Sequence, residues 1–266
     1  MKVLFFSLSV ILASAFKLFA DLPFEKYLVP IELEHQQSGL EGVDAIYIIN
    51  LERRTEKKKK KYDLFLSNQL YPNFVKAVDG AKLNKKKRLE ITYPYKKNAL
   101  TTHGHVGCIL SHLSVLKDAQ KRDFDVIWIC EDDVIFVKDV HLISYYLKEL
   151  TRLDPDWDIL YTDIGMQVDV ENFSKLFKRP NQILESDLYK SRGDVGKIFY
   201  REIYRCGTYS YLFSKKGINK VLNFYRNNFL FSPLDMDIHM IPEIKEYSIK
   251  EEIVKFDISE ISDTKN

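Results

Sequence analysis

Three consecutive carboxylates, Glu131, Asp132 and Asp133, directly follow a mostly apolar run over residues 125–130 that predicts a buried strand. Adjacent acids at a buried strand end repel one another and lose hydration unless a cation or a hydrogen-bond network compensates them. Mg²⁺ and Mn²⁺ prefer oxygen ligands and commonly keep coordination positions open for phosphates. The acids therefore predict a divalent metal that holds a diphosphate. The alternative interpretation is a solvated turn or a helix cap.

A second polar cluster consists of Asp235, Asp237 and His239, which alternate with apolar residues. If this segment is extended, the three side chains share one face of the strand. Carboxylates and histidine serve both as metal ligands and as general bases. The pattern predicts a further metal ligand and a base here, and the alternative is an edge strand that faces solvent.

Three histidines, His103, His105 and His112, surround a predicted helix start that also carries Gly104 and Gly107. The spacing of the first two is that of a zinc pair, but no third or fourth ligand follows at a recognised spacing. The free N–H groups of a helix N-terminus offer phosphate binding instead. The chain lacks the G-x-G-x-x-G, P-loop and nucleophile-elbow patterns, which argues against dehydrogenases, P-loop proteins and α/β-hydrolases.

Composition indicates a folded protein with a large core, because 45% of the 266 residues are hydrophobic. The net charge of +2 by itself indicates neither a nucleic-acid nor a membrane partner. Its distribution is uneven, since residues 52–97 contain 15 basic and five acidic residues. The basic segment 53–97 predicts contact with a phosphate, a polyanion or an anionic membrane surface, or else the solvated face of a helix. The three cysteines lie in apolar contexts, which favours core packing, with one disulfide as the alternative.

The N-terminus predicts export. Residues 1–20 read as a signal peptide, because a lysine precedes an apolar stretch shorter than the roughly 20 residues that span a bilayer. The alternative is an uncleaved membrane anchor. We expect residues 21–43 to form a leader outside the core, residues 44–258 the main folded domain and residues 259–266 a tail. The predicted location is the secretory pathway or the exterior, and the cytosolic face of a membrane is the alternative.

Strand and helix patterns alternate along the chain. A βαβ unit is predicted from strand 45–49, helix 51–70 and strand 74–78, followed by an irregular loop over 81–102. Further strands are expected at 125–130, 157–161, 206–213 and 249–258, further helices at 106–121, 140–153 and 215–226, and a loop-rich insertion at 165–203. This alternation predicts an α/β fold, an open sheet with helices on both faces, and ligands at the carboxyl ends of its strands. The polar residues that fall at such ends are Asn50, Asp79, the three acids and Asp163.

The ordered set of motifs at residues 46–54, 77–80, 107–113, 130–134, 207–214 and 233–235 resembles glycosyltransferase family 25. That family includes lipooligosaccharide galactosyltransferases and procollagen galactosyltransferases. The resemblance implies a GT-A-type nucleotide-sugar-binding fold, a UDP-sugar donor carrying galactose or glucose, Mn²⁺ or Mg²⁺, and inversion at the anomeric carbon. It also implies a glycan, lipooligosaccharide or glycoprotein hydroxyl as the acceptor.

The resemblance also implies roles for individual residues. The nucleotide would contact Asn50, Arg53 and Arg54, its base or ribose Asp79 and Gly80, and the donor Gly107 and His112. Metal and diphosphate would be held by Glu131, Asp132 and Asp133. The second polar cluster, rather than the resemblance, adds His239 as a further metal ligand and Asp235 or Asp237 as the base.

Four residues depart from the family pattern and leave the donor sugar open. His105 stands where a glutamate is usual, Lys57 and Lys58 replace a second basic pair, and Asp163 stands where an apolar residue is expected. The competing hypothesis is a secreted, non-catalytic α/β protein that binds polyanions or glycans.

Overall fold

The computed structural model describes residues 23–92, 102–167, 192–203 and 205–257. Eight strands form one open sheet in the order β2-β1-β3-β10-β5-β11-β8-β7, and two strand pairs, β4-β12 and β6-β9, lie outside it. The strands are β1 (Ala45–Asn50), β2 (Pro72–Lys76), β3 (Val126–Glu131), β4 (Val134–Phe136), β5 (Ile159–Tyr161), β6 (Met166–Gln167), β7 (Gly193–Val195), β8 (Phe199–Arg201), β9 (Arg205–Cys206), β10 (Ser210–Ser214), β11 (Glu246–Ile249) and β12 (Val254–Phe256). The α-helices are α1 (Thr55–Ser67), α2 (Lys85–Ile91), α3 (His103–Arg122), α4 (Leu142–Leu153), α5 (Lys215–Asn227) and α6 (Leu234–Asp237), and short 3₁₀ helices cover Pro23–Tyr27, Gly80–Lys82 and Ile238–Met240.

Helices cover both faces of the sheet, as predicted. Side chains alternate along β1: Tyr47 packs with α3 and α5 in one apolar cluster, whereas Ile48 packs with α1 and α4 in the other. Every residue of β1 is buried, which explains why its sequence is a continuous apolar run rather than an alternating one. The mixed α/β architecture predicted from the sequence is therefore confirmed.

The predicted βαβ unit is present at one side of the sheet. Strand β1 pairs in parallel with β2 and with β3, so the carboxyl ends of all three meet at one edge. Helix α1 begins later than predicted because residues 51–54 form a turn, in which the Arg54 amide donates to the Leu51 carbonyl at 2.8 Å. This turn carries Arg53 and Arg54 directly beyond the end of β1.

Strand β10 runs antiparallel to both of its neighbours. It pairs with β3 and β5, with Ser210 opposite Cys130 and Tyr211 opposite Tyr161. The apolar composition of residues 206–213 predicted a strand but carried no information about its direction. Because β10 enters the sheet at the edge where β3 ends, it brings Thr208 and Tyr209 next to the acidic cluster.

Two sequence-based expectations about the periphery are wrong. Phe24, Leu40 and Val43 are buried, so the segment expected to lie outside the core contributes to it. Residues 85–91, expected to be irregular, form α2, whose N-terminus is capped by the Asn84 side chain accepting from the Lys87 amide.

Several predictions fall outside the described residues: the signal peptide or anchor at 1–20, the tail at 259–266 and residues 168–191 of the insertion. Within the part of the chain that is described, no helix is both long enough and apolar enough to cross a bilayer.

Candidate functional site

A cavity of about 230 Å³ opens at the carboxyl ends of β1, β2 and β3. Its walls come from the turn after β1, the loop after β2, the start of α3 and the acids that end β3. Of the residues predicted from the sequence, it brings together Arg53, Arg54, Asp79, Gly80, His112, Glu131, Asp132 and Asp133. Parallel pairing explains this convergence, because it directs all three strand ends to the same edge.

Asp132 is engaged by the chain itself. Its side chain is only 6% exposed and accepts from Asn50 Nδ2 at 2.8 Å and from Arg54 at 2.7 Å. Burial raises the pKa of Asp132, and the positive charges of Arg54 and Lys57 oppose that rise. Asn50 and Asp132 thus hold the Arg54 guanidinium at the cavity.

Asp79 links the loop after β2 to the turn after β1. One carboxylate oxygen accepts from Arg53 at 2.9 Å, and the other accepts from the Ala81 amide, which starts the 3₁₀ turn at Gly80. The Arg53 side chain is 52% exposed, so its charge faces solvent as well as the cavity.

Gly80 and Gly107 allow the loop after β2 to approach α3. A Cβ on Gly80 would lie 1.7 Å from the His103 carbonyl oxygen, and one on Gly107 would lie 2.5 Å from the Val78 carbonyl oxygen. Gly80 lines the cavity, whereas Gly107 lies behind it at this backbone contact. Gly107 therefore shapes the wall rather than presenting a surface to the cavity.

His112 and Glu131 meet at the base of the cavity. His112 is buried, with Nδ1 at 2.7 Å from the Tyr211 hydroxyl and Nε2 at 3.5 Å from a Glu131 oxygen. Burial raises the pKa of Glu131, but the contact with His112 and the Thr208 hydroxyl outweighs it, so the net shift is downward. Glu131 is thus held as a carboxylate.

Asp133 has the opposite environment. Burial, together with the neighbouring charges of Glu131 and Asp132, raises its pKa to about 7. Its Oδ1 atom is buried and has no hydrogen-bond partner among the described residues. An unsatisfied carboxylate oxygen beside a second carboxylate fits a divalent cation that prefers oxygen ligands.

A second cavity, of about 660 Å³, adjoins the first and shares Cys108, Glu131 and Asp133 with it. Asp235 lines this cavity and accepts from the Gly207 amide at 2.9 Å. His105, noted in the sequence for other reasons, also lines this cavity, and Tyr209, Glu252 and Phe256 in its wall were not singled out as site residues. No sequence pattern marks the two aromatic residues, because Tyr209 reaches the cavity through pairing of β10 with β3 and Phe256 through pairing of β12 with β4.

The prediction that Asp235, Asp237 and His239 share the face of an extended strand is wrong. Residues 234–237 form α6, and Pro233 followed by acids in the first turn is a helix-start pattern that could have indicated it. The Asp237 side chain is fully buried and accepts from Tyr225 at 3.0 Å and from Ser232 at 3.2 Å. Asp237 therefore belongs to the core rather than to either cavity.

His239 is also part of the core. Its Nδ1 lies 2.8 Å from Glu246, and its Nε2 lies 3.0 Å from the amide nitrogen and 2.9 Å from the carbonyl oxygen of Arg205. These contacts engage both ring nitrogens, so the arrangement does not support His239 as a metal ligand.

Two departures from the family pattern have structural roles. His105 completes a capping box at the start of α3, where its ring accepts from the Thr102 amide and the Thr102 hydroxyl accepts from the His105 amide. Asp163 forms a buried ion pair with Arg205 at 2.5 Å and also accepts from the Tyr209 hydroxyl. The spacing of His103 and His105 therefore does not reflect a zinc pair, since the His105 ring is used as a helix cap.

The open sheet with helices on both faces defines a mixed α/β protein, whose architecture is consistent with a GT-A-like fold. Residues 43–240 match the sequence model of glycosyltransferase family 25, described as an LPS biosynthesis protein, and the chain belongs to this family.

Relatives of the chain include procollagen galactosyltransferases. It is 28% identical over 225 residues to human procollagen galactosyltransferase 2, with 77% of this chain and 32% of the relative covered. It is 26% identical to procollagen galactosyltransferase 1 of Danio rerio, with 73% and 31% covered, and 31% identical to a glycosyltransferase 25 family member of Aedes aegypti, with 45% and 21% covered. The chain spans about a third of the length of the two procollagen galactosyltransferases.

Proposed function

We propose that this protein is a metal-dependent, inverting glycosyltransferase that transfers galactose or glucose from a UDP-sugar to a hydroxyl group. The observation that carries the proposal is the first cavity, whose lining combines Arg53 and Arg54 with the acids 131–133. Cationic side chains complement a diphosphate, and the acids complement the divalent cation that a bound diphosphate attracts. Family membership supports the same reaction class.

The donor would occupy the first cavity. Arg53 is exposed enough to contact a phosphate, and Arg54 is oriented by Asp132 through the contact at 2.7 Å. Asp79 and Gly80, on the opposite loop, would contact the ribose or the base. In this arrangement Asn50 and Gly107 act on the donor indirectly, by fixing the groups that line the cavity. Asp132 and His112 line the cavity themselves and also contact Arg54 and Glu131.

Glu131 and Asp133 are the residues that would hold Mn²⁺ or Mg²⁺. The unsatisfied Oδ1 of Asp133 supports this assignment. When bound, such a cation neutralises the charge that develops on the UDP leaving group.

The acceptor would occupy the second cavity, which adjoins the first at Glu131 and Asp133. Asp235 is our choice for the base, because it lines this cavity while Asp237 does not. Tyr209 and Phe256 form an aromatic wall with ring centroids 5.2 Å apart, and Phe256 is 46% exposed. An aromatic wall with nearby carboxylates suits the apolar face and hydroxyl groups of a sugar, which favours a glycan, lipooligosaccharide or glycoprotein acceptor.

The experiment is a donor screen on the complete chain, with UDP-galactose and UDP-glucose and with Mn²⁺, Mg²⁺ or a chelator. We expect the release of UDP to require the cation, and the cation and UDP together to raise the melting temperature more than either alone. Asp133→Asn should lose the cation-dependent part of both signals, whereas Asp139→Asn, at an exposed position, should keep it. No melting shift with any uridine nucleotide in the presence of Mn²⁺ would contradict the proposal.

Surface association is a second candidate property. Lys58, Lys59 and Lys60 on α1 and Lys85, Lys86 and Lys87 on α2 are exposed, which supports binding of the basic segment to an anionic membrane surface or polyanion. Together with the predicted signal peptide, this favours a membrane-associated enzyme of the secretory pathway. Sedimentation with phosphatidylserine vesicles should decrease with salt, and phosphatidylcholine vesicles are the control. Equal binding to both vesicle types would contradict an electrostatic association.

A further inference from the structure

Three side chains, those of Cys108, His112 and Glu131, lie where the two cavities adjoin. The proposed donor and acceptor sites do not involve these three residues as one group. Cys108 and His112 are four residues apart on α3 and so lie on the same face of that helix. Glu131 is the last residue of β3. One ligand atom from each, a sulfur, a nitrogen and an oxygen, all lie within 4.8 Å of one another.

His112 has an environment typical of a metal ligand. The residue is 1% exposed, and its Nε2 atom, 3.5 Å from Glu131, has no hydrogen-bond partner among the described residues. Its other ring nitrogen contacts the Tyr211 hydroxyl at 2.7 Å. A histidine that binds a metal is typically held in this way, because the second ring nitrogen fixes the ring orientation and the tautomer.

We propose that Cys108, His112 and Glu131 form a binding site for a borderline divalent cation of the Zn²⁺ type. A sulfur, an imidazole nitrogen and a carboxylate oxygen match the ligands that Zn²⁺ prefers, whereas Mg²⁺ does not favour the sulfur. The site is therefore chemically distinct from the oxygen-only pair Glu131 and Asp133, although it shares Glu131 with that pair.

Three protein ligands leave a fourth position open, as in exchangeable rather than purely structural zinc sites. Cys108 and Glu131 line both cavities, so this open position is accessible from the cavity side. Zn²⁺ binds the thiolate form of cysteine, so binding of the cation releases the thiol proton of Cys108 to solvent as the metal–sulfur bond forms.

Cobalt(II) is a suitable probe because thiolate ligation gives it an intense near-ultraviolet charge-transfer band. The chain is titrated with Co²⁺ in the absence of Mg²⁺ and Mn²⁺, because a cation at the oxygen-only pair would compete for the shared Glu131. We expect the charge-transfer band at one equivalent of Co²⁺ and its loss when Zn²⁺ is added. Neither result depends on glycosyl transfer, so failure here and failure of the proposed function are distinguishable.

Variants assign the band to the site. Cys108→Ser should abolish it, while Cys206→Ser, in the wall of the second cavity, should leave it unchanged. Asp133→Asn should also keep the band, and Tyr211→Phe should weaken Co²⁺ binding by about 10-fold because His112 loses its orienting contact. Absence of the band in the unmodified chain, or its persistence in Cys108→Ser, would overturn the proposal.

A second measurement covers the case in which Cys108→Ser does not fold. X-ray absorption of the zinc-loaded, unmodified chain should show one sulfur scatterer at about 2.3 Å with nitrogen and oxygen at about 2.0–2.2 Å. A first shell that contains no sulfur would exclude Cys108 as a ligand.

Discussion

Arg54 and Asp132, 78 residues apart in the chain, form an ion pair of 2.7 Å between the ends of β1 and β3. Asn50 donates to the second oxygen of the same carboxylate. The hydrogen bonds of Asp132 are therefore made within the protein. Asp133, by contrast, has a buried oxygen without a hydrogen-bond partner among the described residues.

Loss of this ion pair should destabilise the fold. Arg54→Ala leaves the buried Asp132 with fewer compensating charges, and we expect the free energy of unfolding to decrease by about 2 kcal/mol. Arg53→Ala is the matched control, because its pair with Asp79 is largely exposed and should contribute less than about 1 kcal/mol. Urea unfolding measures the free energy of unfolding of both variants. Equal decreases in the two would show that burial of Asp132 does not strengthen its ion pair.

Gly80 should tolerate no side chain. A Cβ there would overlap the His103 carbonyl, so Gly80→Ala must displace the start of α3 and should lower the free energy of unfolding by about 3 kcal/mol. Gly193→Ala is the control, because a Cβ added there would meet no described atom within 4 Å, and it should change stability by about 0.5 kcal/mol or less. Thermal unfolding measures the midpoint of each variant. Equal midpoints for Gly80→Ala and Gly193→Ala would contradict a close contact between Gly80 and His103.

The pair His239 and Glu246 predicts a pH dependence of stability. Burial lowers the pKa of His239, but Glu246 and the Arg205 carbonyl raise it by more, so the net pKa lies above the ordinary value of about 6.5. The stabilisation from the charged histidine is therefore complete below about pH 6.5 and is lost as pH rises through the raised folded-state pKa.

Urea midpoints of the unmodified chain and of His239→Gln, measured across this range, test the sign. The difference in stability should be largest at low pH and should shrink as pH rises. His141→Gln, at an exposed position, should show no comparable trend. A difference that grows with pH would mean that His239 is neutral in the folded protein.

Asp235→Asn should lower kcat with little effect on the KM for the donor. The side-chain oxygen of the new asparagine can still accept from the Gly207 amide, so the variant preserves this contact while removing the proposed base. Loss of a general base typically reduces rates by about 10²–10⁴-fold. The assay is UDP release from UDP-galactose with a panel of free monosaccharides. Glu252→Gln, in the same wall, is the control, and an equal loss of kcat in that variant would argue against Asp235 as the base.

Much of the first cavity could be predicted because its residues follow successive strands of a parallel unit. Asn50, Asp79 and the acids 131–133 each stand at or just after the end of an apolar run, and parallel pairing of those runs brings their ends together. The second cavity could not be predicted in this way. Tyr209 and Phe256 reach it through antiparallel pairings whose direction does not appear in a run of apolar residues.

The sequence by itself determined the alternation of strands and helices, the acids at the end of β3 and the family of the chain. Those features are local, since they depend on residue type and spacing along one segment. Only the tertiary structure decided which acids are satisfied internally, that Asp237 and His239 belong to the core, and that Cys108 and His112 face Glu131. These outcomes depend on burial and on contacts with segments that are distant in the chain. A carboxylate or imidazole that is buried and fully hydrogen-bonded is a structural contact, whereas one with an unsatisfied atom can bind a ligand.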